Sequence, residues 1–488
     1  MFVGGAKALV AIPATICHAS CGSFDNQAHL EHSSEQTFPV TQLNLLRLLP
    51  SSLRQKIEHR AGLGRILDNI AWLSMDKVIR MGLGLTVGVW LARYLGPDQF
   101  GQLNYAIAFV GLFATLTGLG LNGIVVRDIV QDPDTANTTL GTAFVLQVLG
   151  GIVAVPLIVG TIEWLRPDDT LSKAMVSVLG LSLIFKSAEV VKYWFESRIQ
   201  VRYTVWIENA AFLVMTGIRI AMILQHAPLM AFVWITLAEA ATVSIALLAI
   251  YAKVGGQMAN WQPRLERARS LLADSWPLLL SGLAIFLFMR IDQLMIGLLA
   301  DDREVGIYAA ALRLSEPWYF LPSAIASSVF PLIARHSPEN AKDYYVKLGR
   351  MLRVVISLHV AISLFFMFGA SYIVEFLFSA QYRESAPILA LHVWTGVFQA
   401  MGIISGQWMV YEGLVMLALL RNVCGAVVSL AMNVILIPKF GGIGAAVTAL
   451  TSVVFAYYLF DLLTPRTRPM FWLKTRAMLL WGRHDPLR

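Results

Sequence analysis

From residue 68 onward the chain is written in long apolar stretches divided by short polar ones. Each stretch has the roughly 20 residues that an α-helix needs to cross a hydrocarbon core about 30 Å thick. The pattern predicts twelve spans, near residues 70–92, 101–122, 138–162, 172–192, 205–224, 228–251, 275–299, 305–333, 348–372, 386–410, 414–436 and 440–463. The runs are continuous and do not alternate every second residue, which excludes an outer-membrane barrel. Arg219 interrupts the fifth span, and Pro317, Pro322 and Pro331 predict a kinked or broken eighth. A break frees backbone carbonyls that only neighbouring helices or water can satisfy, so it marks a place to look for a cavity.

Composition agrees with the pattern. Hydrophobic residues make up 57% of the 488 and charged residues 14%, against about 25% charged in soluble domains. That excludes a packed cytosolic enzyme. The net charge of +7 reports topology in such a chain and is not read as nucleic-acid binding. With the N-terminus inside, 25 of the 38 Lys and Arg fall on the inner side, six on the outer side and seven within spans. Both termini are therefore expected in the cytosol.

Residues 1–67 are expected to be a cytosolic tail, with a basic segment from Leu43 to Leu67 that is either amphipathic or solvated, the solvated reading being favoured. A short apolar stretch before Ile16 holds Pro13 and lacks the cleavage site of a signal peptide. Cys17, His18 and Cys21 do not complete a tetrahedral metal site. No metal and no cofactor are expected. Residues 253–274 read as a cytosolic linker between lobes at 68–252 and 275–463, and 464–488 as a basic C-terminal tail.

The division into lobes comes from a repeat. An acidic turn ending in an apolar residue plus glycine closes the first hairpin at Gly96–Gly101, and a similar one follows the seventh span at Ala300–Gly306. Six spans separate them, so the halves share one orientation, as in transporters built from parallel repeats.

Charged residues inside spans are the natural functional candidates, because each costs about 3 kcal/mol at the bilayer centre unless paired or wetted. Arg290 and Asp292, two apart on one helix, cannot pair with each other. Asp292 and Arg313 lie at similar depth about the turn near Asp302, so they are expected to pair, leaving Arg290 as a positive charge lining the cavity. Arg219 is within reach of Glu239, and Lys186 of Glu189. Such pairs either lock helices or serve function. Asp76, Lys77 and Arg80 read as snorkelling near the inner edge. His359 and His392 read as packing residues. Zincin, nucleophile-elbow and ATPase motifs are missing, so the chain is not expected to be an enzyme.

Five ordered stretches resemble the polysaccharide-transporter family, the Wzx-type O-antigen flippases. They are Ala92–Gly101; Tyr193–Arg198 with Tyr203; Met289–Gly297; Val305–Tyr308 continuing through Arg313–Pro322; and Ile437–Ala446. The resemblance covers about residues 65–465, and the N-tail is long for the family. It implies an all-α polytopic membrane protein, about 12 helices in two six-helix lobes around a central cavity. It further implies alternating-access translocation of an undecaprenyl-pyrophosphate-linked oligosaccharide across the bacterial inner membrane. A lipid-linked oligosaccharide, the bilayer, and a polysaccharide polymerase and chain-length regulator are the partners it implies. On this reading Arg290, then Arg219 and Arg421, contact the headgroup, while Glu239, Asp292 and Arg313 serve coupling or gating. The alternative is another exporter of the same superfamily, whose drug-cation members would be expected to have a carboxylate-dominated cavity.

Overall fold

The computed structural model describes residues 61–334 and 341–479, with side chains described from Arg80 onward and not at Ala341. The readings of residues 1–60, including Cys17, His18 and Cys21, and of the side chains of Asp76 and Lys77, lie outside the described residues. The chain divides into two compact units, residues 1–78 and 79–488. Of the first, residues 61–78 are helical. All that follows concerns the second.

Among the described residues there is helix and no strand. Ten helical runs are long and apolar enough to cross a membrane. Two of them, Arg80–Gln131 and Val415–Leu462, have 52 and 48 residues. As single rods these would be roughly 70–80 Å long, more than twice the hydrocarbon thickness. Each is divided by a glycine outside helical geometry, Gly96 (φ 72°) and Gly441 (φ 53°). Both angles are in the left-handed region where only glycine is unstrained. The ten runs thus make twelve passes, six on either side of residues 254–264.

In chain order the helices are α1 (Ala61–Thr117, bent at Gly96), α2 (Leu121–Gln131), α3 (Ala136–Leu165), α4 (Thr170–Phe185), α5 (Val190–Ser197), α6 (Arg202–Leu224) and α7 (Leu229–Lys253). The second half holds α8 (Leu265–Leu299), α9 (Asp302–Ser315), α10 (Phe320–Ala334), α11 (Ala341–Phe378), α12 (Ser385–His392), α13 (Thr395–Tyr411), α14 (Val415–Tyr457, bent at Gly441) and α15 (Arg468–Leu479). The eighth pass is broken at Pro317 alone: α9 ends at Ser315, a 3₁₀ turn spans Glu316–Tyr319, and α10 resumes with Pro322 and Pro331 inside it. Arg219 does not interrupt the fifth pass, which is one continuous helix.

The packing has a definite polarity. One end of the bundle carries Gly96, Asp302 and Gly441 and is called the hairpin end; the other carries residues 254–264 and is called the linker end. Towards the hairpin end a single buried core joins both halves, with Phe100, Tyr105 and Ile158 from the first and Ile296, Tyr308, Val374 and Tyr382 from the second. Towards the linker end the core divides. Leu121, Val125, Val190, Phe195 and Tyr251 form one cluster within the first lobe. Tyr344, Leu352, Met401, Trp408 and Met470 form another within the second. The lobes are joined at one end and separate at the other.

At the join, the two repeated turns meet backbone to backbone. A Cβ on Gly101 would fall on the Asp302 carbonyl, and one on Gly306 would fall on the Pro97 carbonyl. Around this contact the Tyr382 hydroxyl donates to the Ala92 carbonyl (2.8 Å), and Arg93 donates to the Phe376 carbonyl (2.5 Å). Arg166, in the turn between α3 and α4, binds Asp302 (2.8 Å) and the Gly297 carbonyl, with its guanidinium 3.9 Å from the Tyr105 ring centre.

Two features differ from the linear reading. Helix α8 begins at Leu265, inside the stretch read as linker, and its first turns belong to the first lobe. Arg267 binds Asp128 (2.7 Å), Asp274 binds Arg127 (2.8 Å), and Leu271 is buried in that lobe's core. The residues read as a C-terminal tail contain α15, which packs on the second lobe through Met470, Leu473, Lys474 and Ala477.

If the glycine contact holds the lobes together, Gly306→Val should cost about 1–3 kcal/mol or more by overpacking. Scanning fluorimetry of the detergent-purified protein should register a lower unfolding temperature. An unchanged temperature would mean that the contact is loose.

Candidate functional site

Between the lobes, at the level of the broken pass, lie two adjoining cavities of about 330 and 370 Å³. Met81, Gly84 and Leu85 of α1 line the first, and Asn104, Ile107 and Gly111 of α1 line the second together with Phe286, Arg290 and Gln293 of α8. Leu312, Arg313 and Glu316 line both. The proline break therefore places one cation and one carboxylate on the shared wall. Pro317 has no N–H to offer the Arg313 carbonyl four residues back, so the helical ladder fails at this wall.

The expected pair of Asp292 and Arg313 does not form, and a different pair crosses the α8–α9 turn. Arg290 binds Glu316 with both terminal nitrogens, at 3.1 and 3.0 Å, where Arg313 was expected to bind Asp292. Asp292 instead accepts hydrogen bonds from Asn433 (2.6 Å), Tyr308 (3.0 Å) and Ser429 (3.2 Å) and is buried inside the second lobe. Sequence depth alone missed this because Asp292 and Arg290 face different sides of α8: Arg290 lines the interlobe cavity, and Asp292 turns towards α14. Arg313 has no ion-pair partner among the described residues. Its guanidinium lies 4.8 Å from the Phe100 ring centre and fills the space that the missing side chain of Gly88 leaves.

The remaining candidates are distributed as follows. Arg219 and Glu239 pair as expected, at 2.6 Å, and line neither cavity. Arg421 is not in the cavity either. It is buried within the second lobe, donating to Ser405 (2.8 Å) and to the Gly402 carbonyl (3.3 Å), over the Tyr457 ring. It neighbours a second buried charge that the linear reading left in a basic C-terminal tail, Lys474 of α15. Lys474 donates to Asp461 (2.6 Å), the Tyr457 carbonyl (2.7 Å) and Ser405 (2.9 Å). Burial pulls its ammonium down to about 8, against the opposing pull of Asp461.

Lys186 and Glu189 do not pair. The 3₁₀ segment Lys186–Glu189 alters the helical register, and Glu189 binds Lys192 (3.5 Å), which also binds Glu208 (2.5 Å). His359 is a packing residue held between the Val355 and Trp318 carbonyls. His392 contacts the Ser315 hydroxyl at 2.8 Å and lines a small pocket inside the second lobe. Glu316, a charge of the eighth span, is the site residue to which the sequence reading gave no partner and no role. Its signal was present, an acid immediately before the proline that breaks an apolar span.

Twelve helical passes in two lobes, joined at one end around a charged cavity, define a membrane-transporter architecture. The same fold occurs in an inward-facing multidrug-resistance MATE family transporter of the MOP superfamily (TM-score 0.65, 15% identity, 80% of this chain and 95% of that one). It occurs too in the lipid II flippase MurJ in an inward closed conformation (TM-score 0.65, 13% identity, 86% and 94%). The family model described as polysaccharide biosynthesis protein matches residues 66–337, and the MatE model matches residues 277–435. The first match spans more than half the chain, which belongs to that polysaccharide biosynthesis family. Among relatives, the probable low-salt glycan biosynthesis flippase Agl15 of Haloferax volcanii is 24% identical over 402 residues, 77% of this chain and 79% of the relative. The succinoglycan biosynthesis transport protein ExoT of Rhizobium meliloti is 22% identical over 340 residues, 67% and 65%.

If Lys474 and Asp461 hold α15 in place as a buried pair, Asp461→Asn should cost about 3–5 kcal/mol by stranding the ammonium. Adding Lys474→Met should recover most of that loss. Chemical denaturation of the three proteins would check this, and equal stability of all three would show that the pair holds nothing.

Proposed function

We propose that the protein is a flippase that carries an undecaprenyl-pyrophosphate-linked oligosaccharide across the bacterial inner membrane by alternating access, for surface polysaccharide biosynthesis. The observation that carries this reading is Arg313, a guanidinium with no ion-pair partner among the described residues, on the wall of the cavity between the lobes. A charge left in this way at bilayer depth is costly unless an anion or water meets it. A diphosphate, each of whose tetrahedral phosphoryl groups offers a pair of oxygens to the guanidinium fork, is an anion that arginine binds well. Arg290 supplies a second cation on the same wall.

The family, and the printed names of Agl15 and ExoT, support glycan transport as the biological setting. The Lys and Arg distribution supports a cytosolic linker end and cytosolic termini. With that orientation the separated ends of the lobes face the cytosol, where a glycan assembled on its lipid would enter. The glycan occupies the cavity, and the lipid tail stays in the bilayer. A polysaccharide polymerase and a chain-length regulator are the partners this role entails. An exporter of organic cations would need a cavity dominated by carboxylates, and the walls here hold two arginines against one glutamate.

The test is complementation of a host that lacks its own flippase, reading lipid-linked glycan accumulation at equal expression. Wild type should restore export, and Arg313→Ala and Arg290→Ala should each reduce it at least tenfold. Full export by Arg313→Ala would remove the anion site. Failure of the wild type to move the glycan of its own pathway would favour the drug-exporter alternative.

A further inference from the structure

We propose that Glu316 is the coupling group of this transporter: substrate takes Arg290 away from Glu316, and Glu316 takes up a proton from the linker end in the same step. This rests on the reading of the cavity as the site of a pyrophosphate-linked substrate.

The first ground is position. Glu316 opens the 3₁₀ turn that breaks the eighth pass and lines both interlobe cavities. It also lines the pocket of about 40 Å³ inside the second lobe, with Asp292, Tyr319 and His392. One side chain thus stands between the substrate cavity and an interior polar pocket. The charged and titratable groups facing it are Arg290 and Asp292 of α8, His392 of α12, and Tyr308, Arg313 and Tyr319 of its own pass.

The second ground is charge balance. At rest Arg290 and Glu316 neutralise each other through two hydrogen bonds, and Arg313 is the cation left over. A pyrophosphate diester brings two negative charges. Arg313 meets one of them. The second needs Arg290, which Glu316 already occupies. Were Glu316 to stay ionised, two anions would compete for one guanidinium at bilayer depth. Protonation removes the conflict: an O–H bond forms on a Glu316 carboxylate oxygen, the proton comes from hydronium at the open end, and water is left behind. Arg290 exchanges a carboxylate for a phosphate, and the wall with its substrate ends neutral, where an ionised Glu316 would leave one net negative charge. Asp292 is a poorer acceptor, because three donors already hold it and it lines neither interlobe cavity. Glu239 is bound to Arg219 away from the cavities.

Linkage makes the exchange measurable in both directions. If binding takes up a proton, acid must tighten binding. The experiment uses the full chain in detergent with an undecaprenyl-pyrophosphate-linked sugar, a diester of two charges, as the probe. Binding is followed by intrinsic fluorescence, proton uptake by an indicator dye in weak buffer, and carboxyl protonation by infrared difference spectroscopy. Wild type should bind, take up about one proton more than Glu316→Gln, and show a new protonated-carboxyl band. Glu316→Gln should bind at least tenfold more tightly near neutral pH and lose the steeper part of the wild-type pH dependence. Should that variant not fold, the band in wild type and its shift in Glu316→Asp decide the matter. Binding by wild type with no extra proton and no band would overturn the proposal and leave the anion site standing. No binding at any pH would overturn both.

Discussion

The structure depends on one close approach, that of Gly101 to Asp302 and of Gly306 to Pro97, where two turns of similar sequence meet with no side chain between them. Two helical lobes in a membrane gain little from burying apolar surface against each other, since lipid is as apolar as leucine. Close packing and hydrogen bonds must hold them, and glycine permits both. The Tyr382–Ala92, Arg93–Phe376 and Arg166–Asp302 contacts gather around that point. Away from it the shared core divides into one core per lobe, and the space so opened is the cavity. Helix α8 is bound to the first lobe near Arg267 and to the second near Asp292, so any rocking of the lobes bends or turns this helix along its length.

Charge compensation decides the rest. Arg219–Glu239, Lys474–Asp461 and Arg290–Glu316 each place a cation against a carboxylate where solvent is scarce. The pairs differ in what they hold. Lys474–Asp461 is fully buried and fixes α15 to the second lobe. Arg290–Glu316 is partly exposed and stands on a cavity wall, where an incoming anion reaches it. Arg313 and Arg421 both stand outside this rule among the described residues: Ser405 and the Gly402 carbonyl hold Arg421, and the proposed substrate is what completes Arg313.

Much of the fold was legible because a membrane span must be long, apolar and helical, and few other sequences meet those demands. The spans, the break at Pro317 and the repeated turns could all be read from the chain. The Arg219–Glu239 pair was legible too, since both residues sit near one turn and depth alone brings them together. Depth failed for Asp292 and Arg313, because pairing also requires the right face of each helix, and only tertiary packing sets that face. Arg421 misled for a related reason: a charge in a span need not look into the cavity, and this one looks towards Ser405 and Gly402. Lys474 lay in a basic stretch that composition could not tell from a solvated tail.

Alternating access is the central claim, and the distances across the two ends of the bundle test it most directly. In a chain without its three native cysteines, spin labels at Asp98 and Ala380 would report the hairpin end, and labels at Gln131 and Glu412 the linker end. Pulsed electron resonance in lipid nanodiscs, with and without undecaprenyl pyrophosphate, would give both distances. The account predicts opposite changes, a second population in which the hairpin-end distance lengthens while the linker-end distance shortens. Distances that stay fixed, or that change in the same sense at both ends, would contradict it.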